Sequence, residues 1–164
     1  MIDAMQWFQL NGKKAMVTGG AAGLCYAMAE GLHLAGAEVV LVDRSPAVGE
    51  AAARLGAQGA PVHGVQGDLS HWEGIPALYD RALADLGGRG VNVNAIAPGY
   101  MVTQLTADMQ GKNPAQYAEI TGRIPMHRWG QPEDLQGAVV FLASPAAAYV
   151  TGAILPVDGG YLGK

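Results

Sequence analysis

Five short runs rich in apolar and β-branched residues, set apart by longer Ala-, Leu- and Gly-rich stretches, constrain this chain more than any other feature. Alternation of that kind builds βα units around a parallel sheet. Lys14 to Val17 reads as the first strand, Glu38 to Val42 as the second, Pro61 to Gln66 as the third, Val91 to Ile96 as the fourth and Ala153 to Val157 as the fifth. The second is apolar almost throughout, the mark of a strand covered on both faces. Helices are predicted at Leu24 to Ala35, stopped by Gly36, at Ala47 to Leu55, stopped by Gly56, at Trp72 to Leu86, stopped by Gly87, and at Glu133 to Ala143, opened by Pro132. Tyr100 to Arg128 holds no clear strand and one short helix near Pro114 to Thr121, so it reads as a flap over a site.

Composition narrows the function. With 164 residues, 50% of them hydrophobic, and neither a repeat nor a linker-like stretch, one domain spanning the whole chain is expected. A net charge of -4 without a Lys/Arg-rich run argues against nucleic acid as a partner. Nothing approaches the ~18 consecutive apolar residues of a membrane span, and Met1 to Leu10 lacks the basic flank and apolar core of an export signal. One cysteine, Cys25, rules out an internal disulfide framework, so a reducing cytoplasm is the expected compartment. The four histidines, His33, His63, His71 and His127, show no metal-ligand spacing and are assigned surface or capping roles.

The first strand ends in Thr18-Gly19-Gly20-Ala21-Ala22-Gly23-Leu24-Cys25 and leads into a helix. Glycines there allow a tight turn and close approach of the backbone to a pyrophosphate, whose charge the helix N-terminus stabilises. An ordinary strand-to-helix turn is the plainer reading of the same residues. Asp43 stands about twenty residues on, at the end of the second strand, where a carboxylate accepts hydrogen bonds from both hydroxyls of an adenosine ribose and repels a 2′-phosphate. That favours NAD over NADP, with Arg44 beside it pulling the other way. Gly67-Asp68-Leu69 ends the third strand with a second carboxylate, suited either to an adenine amino group or to a turn or cap.

The turn Thr18-Gly19-x-x-x-Gly23, Asp43, Gly67-Asp68, Val93-Asn94-Ala95-Ile96-Ala97-Pro98-Gly99-Tyr100, Thr103, Arg128-Trp129-Gly130-Gln131-Pro132-Glu133-Asp134 and Phe141 through Val157-Asp158-Gly159-Gly160 together resemble the short-chain dehydrogenase/reductase family. Arg123-Ile124-Pro125 and the Gly159-Gly160-Tyr161-Leu162 ending look most like its sugar-acid and polyol dehydrogenases. The resemblance implies an NAD-binding domain whose cofactor contacts fall on Thr18, Gly19, Ala22, Gly23, Leu24, Asp43, Arg44, Asp68, Leu69, Asn94, Pro98, Gly99 and Thr103. It also implies a sugar-acid or polyol ligand and self-association through the last helix and strand, Glu133 to Ala143 and Ala153 to Val157.

The departures from that family are as informative. Its last turn glycine is Cys25 here, readable as a small buried hydrophobe or as a thiol of lowered pKa at a helix N-terminus. The family's Asn-Asn-Ala-Gly strand end, its catalytic serine and its Tyr-x-x-x-Lys helix are all missing. No tyrosine of this chain has a lysine four positions on, so no catalytic set is assigned. The helix ending at Gly88 joins the strand starting at Val91 where that segment would lie. In the family's strand numbering the expected fold is α/β, a Rossmann-like doubly wound parallel sheet shortened to about five strands in the order 3-2-1-6-7, because a right-handed crossover would carry Val91 to Ile96 into the place beside the first strand.

Overall fold

The computed structural model describes residues 4–57, 59–70 and 94–163. The predicted helix Trp72 to Leu86, the join from Gly88 to Val91 and His71 lie outside the described residues.

The chain is a parallel α/β fold, as its alternating pattern predicts. β1 (Lys14–Thr18), β2 (Glu38–Asp43) and β3 (Val62–Gln66) form one parallel sheet in the order β1-β2-β3, with Val17 opposite Leu41 and Val40 opposite His63. α1 (Gly23–Leu34) and α2 (Val48–Leu55) connect these strands. β2 alternates its side chains between two apolar layers. Val39 and Leu41 join Leu10, Ala29, Leu32, Val48, Ala51 and Leu55 in the main core, while Val40 and Val42 meet Met16 and Val65 on the other face. His33, expected at the surface or in a cap, is buried in α1, because the face of that helix carrying Leu32 and Ala29 is turned inward.

The later half is built around β4 (Ala95–Pro98) and β5 (Ile154–Val157), a parallel pair with Ile96 opposite Leu155. Between them come α3 (Met109–Lys112), α4 (Pro114–Arg123), a 3-10 turn at Pro132–Leu135 and α5 (Gln136–Ala143). The segment read as a flap has a core of its own. Ile120, Ile124 and Trp129 are buried with Val102, Met109, Tyr117 and Tyr161 packed around them. Asn113 starts α4 by accepting a hydrogen bond from the backbone N–H of Gln116, and Pro114 supplies the fixed φ of a first helical residue.

Strand number and direction agree with the expected five-stranded parallel fold, but the strands form two sheets. The ladder between β1 and β4 that the order 3-2-1-6-7 requires is not formed among the described residues. β4 is short, it ends at Pro98, which has no N–H to donate, and the Ala95 amide donates to the Ala153 carbonyl at 2.9 Å. The halves are joined instead through helices. A Cβ added to Gly31 of α1 would lie 2.8 Å from the Gln136 Cβ, and the Gln136 amide donates to the Glu30 carboxylate at 2.9 Å. Val139 of α5 extends this contact onto the main core.

Candidate functional site

The turn after β1 depends on two glycines. Gly19 and Gly23 hold φ of 68° and 66°, in the left-handed region that side chains with a Cβ resist. Ala22, between them, is the N-cap residue of α1 and makes no side-chain capping bond. The first amides of α1 are therefore without the side-chain partner that most helix starts have, and Ala22 and Gly23 are exposed. Thr18 closes β1 at the surface and Leu24 begins the half-buried face of α1.

Asp43 braces this turn from the neighbouring strand. One carboxylate oxygen accepts the Ala21 N–H at 3.1 Å and the other accepts the Ser45 N–H at 2.9 Å. Each carboxylate oxygen has a second lone pair, so these contacts leave acceptor capacity toward a ligand. Cys25 lies directly beneath. Its sulfur is 3.5 Å from where a Gly19 Cβ would be, and burial, followed by the nearby negative charge of Asp43, raises its thiol pKa. The reading of Cys25 as a thiol of lowered pKa is overturned, since desolvation and a carboxylate both disfavour the thiolate.

Gly19, Val42, Asp43, Arg44, Gly67, Asp68, Leu69 and Ser70 line one cavity of about 380 Å³. The carboxyl ends of three parallel strands thus bring together Gly19, Asp43, Arg44, Asp68 and Leu69, where ligands of open α/β sheets bind. The Asp68 carboxylate accepts both the N–H and the hydroxyl of Ser70, at 2.8 and 2.7 Å, so it closes a local turn while facing the cavity. These residues suit the adenylate half of a dinucleotide: a glycine-containing turn leading into a helix N-terminus for the phosphates and two carboxylates for hydroxyl and amino donors.

The remaining candidates fall elsewhere. Pro98 and Gly99 line a separate cavity of about 270 Å³ with Ala97, Tyr100, Asp158, Tyr161 and Leu162. Thr103 lines neither of these two cavities; its N–H donates to the Thr106 hydroxyl at 2.8 Å. The Asn94 amide donates to the Val150 carbonyl at 2.9 Å and accepts from the Ala153 N–H at 3.1 Å, which ties the start of β4 to the loop before β5. Among the described residues no group of three or more His, Cys, Asp or Glu side chains could hold a metal ion.

Sequence reasoning missed the aromatic array behind the second cavity. Tyr100 packs at 5.2 Å from both Trp129 and Tyr161, Tyr117 stacks on Trp129 at 4.9 Å, and the Arg123 guanidinium sits 4.8 Å over the Tyr161 ring. Four aromatic residues in separate segments give no local pattern.

Fold and site define a Rossmann-type α/β domain with its candidate ligand contacts at the carboxyl edge of the sheet. The chain belongs to the short-chain dehydrogenase family: residues 81–162, half of its length, match the family model described as enoyl-(acyl carrier protein) reductase, and residues 13–89 match the one described as short chain dehydrogenase. It is 57% identical over 77 residues to 2-dehydro-3-deoxy-D-gluconate 5-dehydrogenase of Pseudoalteromonas atlantica, a stretch covering 47% of this chain and 30% of that one. It is 54% identical over 82 residues to galactitol 2-dehydrogenase (L-tagatose-forming) of Cereibacter sphaeroides, covering 49% and 32%. The chain spans about a third of the length of the curated relatives it matches. Among solved structures, a Beutenbergia cavernae protein described as an NAD(P) dependent gluconate 5-dehydrogenase, with NADP bound at low occupancy, superposes with a TM-score of 0.84 at 29% identity, covering 96% of this chain and 100% of that one.

Proposed function

We propose that this chain is an NAD(P)-binding domain of oxidoreductase ancestry, drawn from enzymes of sugar acids or polyols, that holds the adenylate half of its cofactor without turning over substrate. The observation that carries the reading is the single cavity uniting Gly19, Asp43, Arg44, Asp68 and Leu69 beside the uncapped start of α1. Thr18, Ala22, Gly23 and Leu24 complete the phosphate turn, and Asn94, Pro98, Gly99 and Thr103 are assigned to the nicotinamide end. NAD is preferred, because Asp43 borders the cavity and a 2′-phosphate would meet its charge. Hydride transfer is absent or residual because no residue replaces the proton-donating tyrosine with its lysine and serine. The identity with sugar-acid and polyol dehydrogenases favours a second reading for any longer parent protein that carries those residues: an NAD-dependent oxidoreductase of the cytoplasm acting on such an alcohol.

Calorimetric titration of the purified chain tests the proposal. AMP, ADP-ribose and NAD should bind with similar, submillimolar to millimolar affinity, and 2′-phosphorylated AMP more weakly. Asp43→Ala should weaken AMP by about tenfold, the equivalent of ~1.4 kcal/mol. No adenine nucleotide binding at millimolar concentration, or undiminished binding by Asp43→Ala, overturns the site. Sustained NADH formation with gluconate or galactitol overturns the absence of turnover.

A further inference from the structure

A carboxylate discriminates between a hydroxyl and a phosphate only while it is held in place, and Asp43 is held by its neighbours. Its two oxygens accept the N–H groups of Ala21 and Ser45, at 3.1 and 2.9 Å. Ala21 belongs to the glycine turn after β1. Ser45 belongs to the loop from β2 to α2, in which Arg44, Pro46 and Ala47 are exposed. The Ser45 hydroxyl accepts the Ala47 N–H at 3.3 Å, a contact within the loop that shapes the approach to α2 without tying it to the sheet.

Gln66, the last residue of β3, supplies that tie. It stands opposite Asp43 in the parallel register, and its side-chain amide donates to the Arg44 carbonyl at 3.1 Å. The Gly67 N–H donates to the Asp43 carbonyl at 2.8 Å, so the end of β3 grips two successive carbonyls of the neighbouring strand end. The Arg44 carbonyl and the Ser45 N–H belong to one planar, trans peptide unit, in which C=O and N–H point in opposite directions. Gln66 therefore holds the oxygen of the same rigid plane whose N–H holds the Asp43 carboxylate. Gln66 itself is not among the residues that line the cavity.

We propose that Gln66 is the positioning residue of the nucleotide cavity: by fixing the Arg44–Ser45 peptide it keeps the Asp43 carboxylate in place, and so sets the preference for a free 2′-hydroxyl over a 2′-phosphate. The inference rests on the reading of this cavity as an adenine nucleotide site. Without the Gln66 donor the peptide plane is free to turn, the Ser45 N–H leaves the carboxylate, and the Ala21 N–H alone restrains it. Arg44, which lines the cavity and forms no ion pair among the described residues, then moves with the released loop and meets a 2′-phosphate less opposed by Asp43.

The test is calorimetric titration of the whole chain with AMP and 2′-phosphorylated AMP as the probes. Gln66→Met keeps the length of the side chain, removes the donor and adds no charge. The preference for AMP should fall by about two- to tenfold, the span of one hydrogen bond. Added to Asp43→Ala, Gln66→Met should change the preference no further, because it acts through that carboxylate. A residue that only supported the fold would weaken both probes alike and leave their ratio unmoved. In the ligand-free chain, the Ser45 amide should exchange with solvent faster in Gln66→Met than in the unaltered protein. An unchanged preference in Gln66→Met overturns the proposal, as does an equal loss on top of Asp43→Ala, unaltered exchange at Ser45, or no preference in the unaltered chain. If the unaltered chain binds neither probe, the nucleotide reading falls and this proposal with it; a preference that survives Gln66→Met removes this proposal alone.

Discussion

Two aspartates set how the second half of the chain responds to acid. The Arg128 guanidinium, with the Gln131 N–H adding to it, holds the Asp134 carboxyl below the usual carboxylate value of 3.8. The N–H groups of Leu162 and Gly160 do the same for Asp158. A carboxyl whose folded pKa is depressed stabilises the fold above its unfolded pKa, and that contribution is lost as pH falls through the folded value. Unfolding midpoints in denaturant should therefore drop as pH is lowered from about 5 to about 3. Asp134→Asn should be less stable than the unaltered chain at neutral pH and should show a shallower acid loss; an identical acid profile for the variant contradicts this. His127 holds φ 51°, donates its N–H to the Ile124 carbonyl at 2.8 Å, and serves the turn that brings Arg128 to Asp134.

At the scale of elements, the contact between α1 and α5 determines whether the two sheets stay together. Gly31 is where the helices approach most closely, and any larger residue must push Gln136 away. Gly31→Val should lower the stability by ~1–3 kcal/mol, read from denaturant unfolding, as overpacking does; Gly49→Ala in α2, whose added Cβ would meet nothing within 4 Å, is the matched control. Equal stability of the two variants would mean that the helices do not bear on one another. Most elements were legible in the sequence because apolar runs and helix stops are local signals. Lys14–Thr18, Glu38–Asp43 and Val48–Leu55 fall within a residue of the expected bounds. What escaped was long-range: the α1 to α5 packing that joins the two halves, the core gathered by Ile120, Ile124 and Trp129, and the inward face of His33. In the candidate site the turn, Asp43 and Asp68 could be placed from strand ends alone. Asn94 could not, because its partners Val150 and Ala153 come more than fifty residues later.

Over the whole molecule, α5 keeps an apolar face that its own fold covers only in part. Its Val139, Val140, Phe141 and Leu142 are all half-buried, so packing on α1 leaves apolar area exposed, and Ile154 of β5 is 71% exposed. A second copy applied about a twofold axis would cover both elements with the same surface. Light scattering at roughly tens of micromolar should show a dimer, with Ile154→Glu shifting it to monomer because one substitution places two charges in the seam. A monomeric unaltered chain contradicts that arrangement. The two-sheet architecture has a thermodynamic corollary as well. Among the described residues the core under β2 and the core around Trp129 share no side chain, and the packing of α1 on α5 and on the 3-10 turn before it connects the two halves. Cooperativity in such a molecule is only as strong as that seam, so each half is a potential unit of opening with its own free energy. A nucleotide held at Asp43 stabilises the half that binds it by mass action, and the aromatic half inherits that protection only in proportion to what α1 transmits through Gly31 and Gln136.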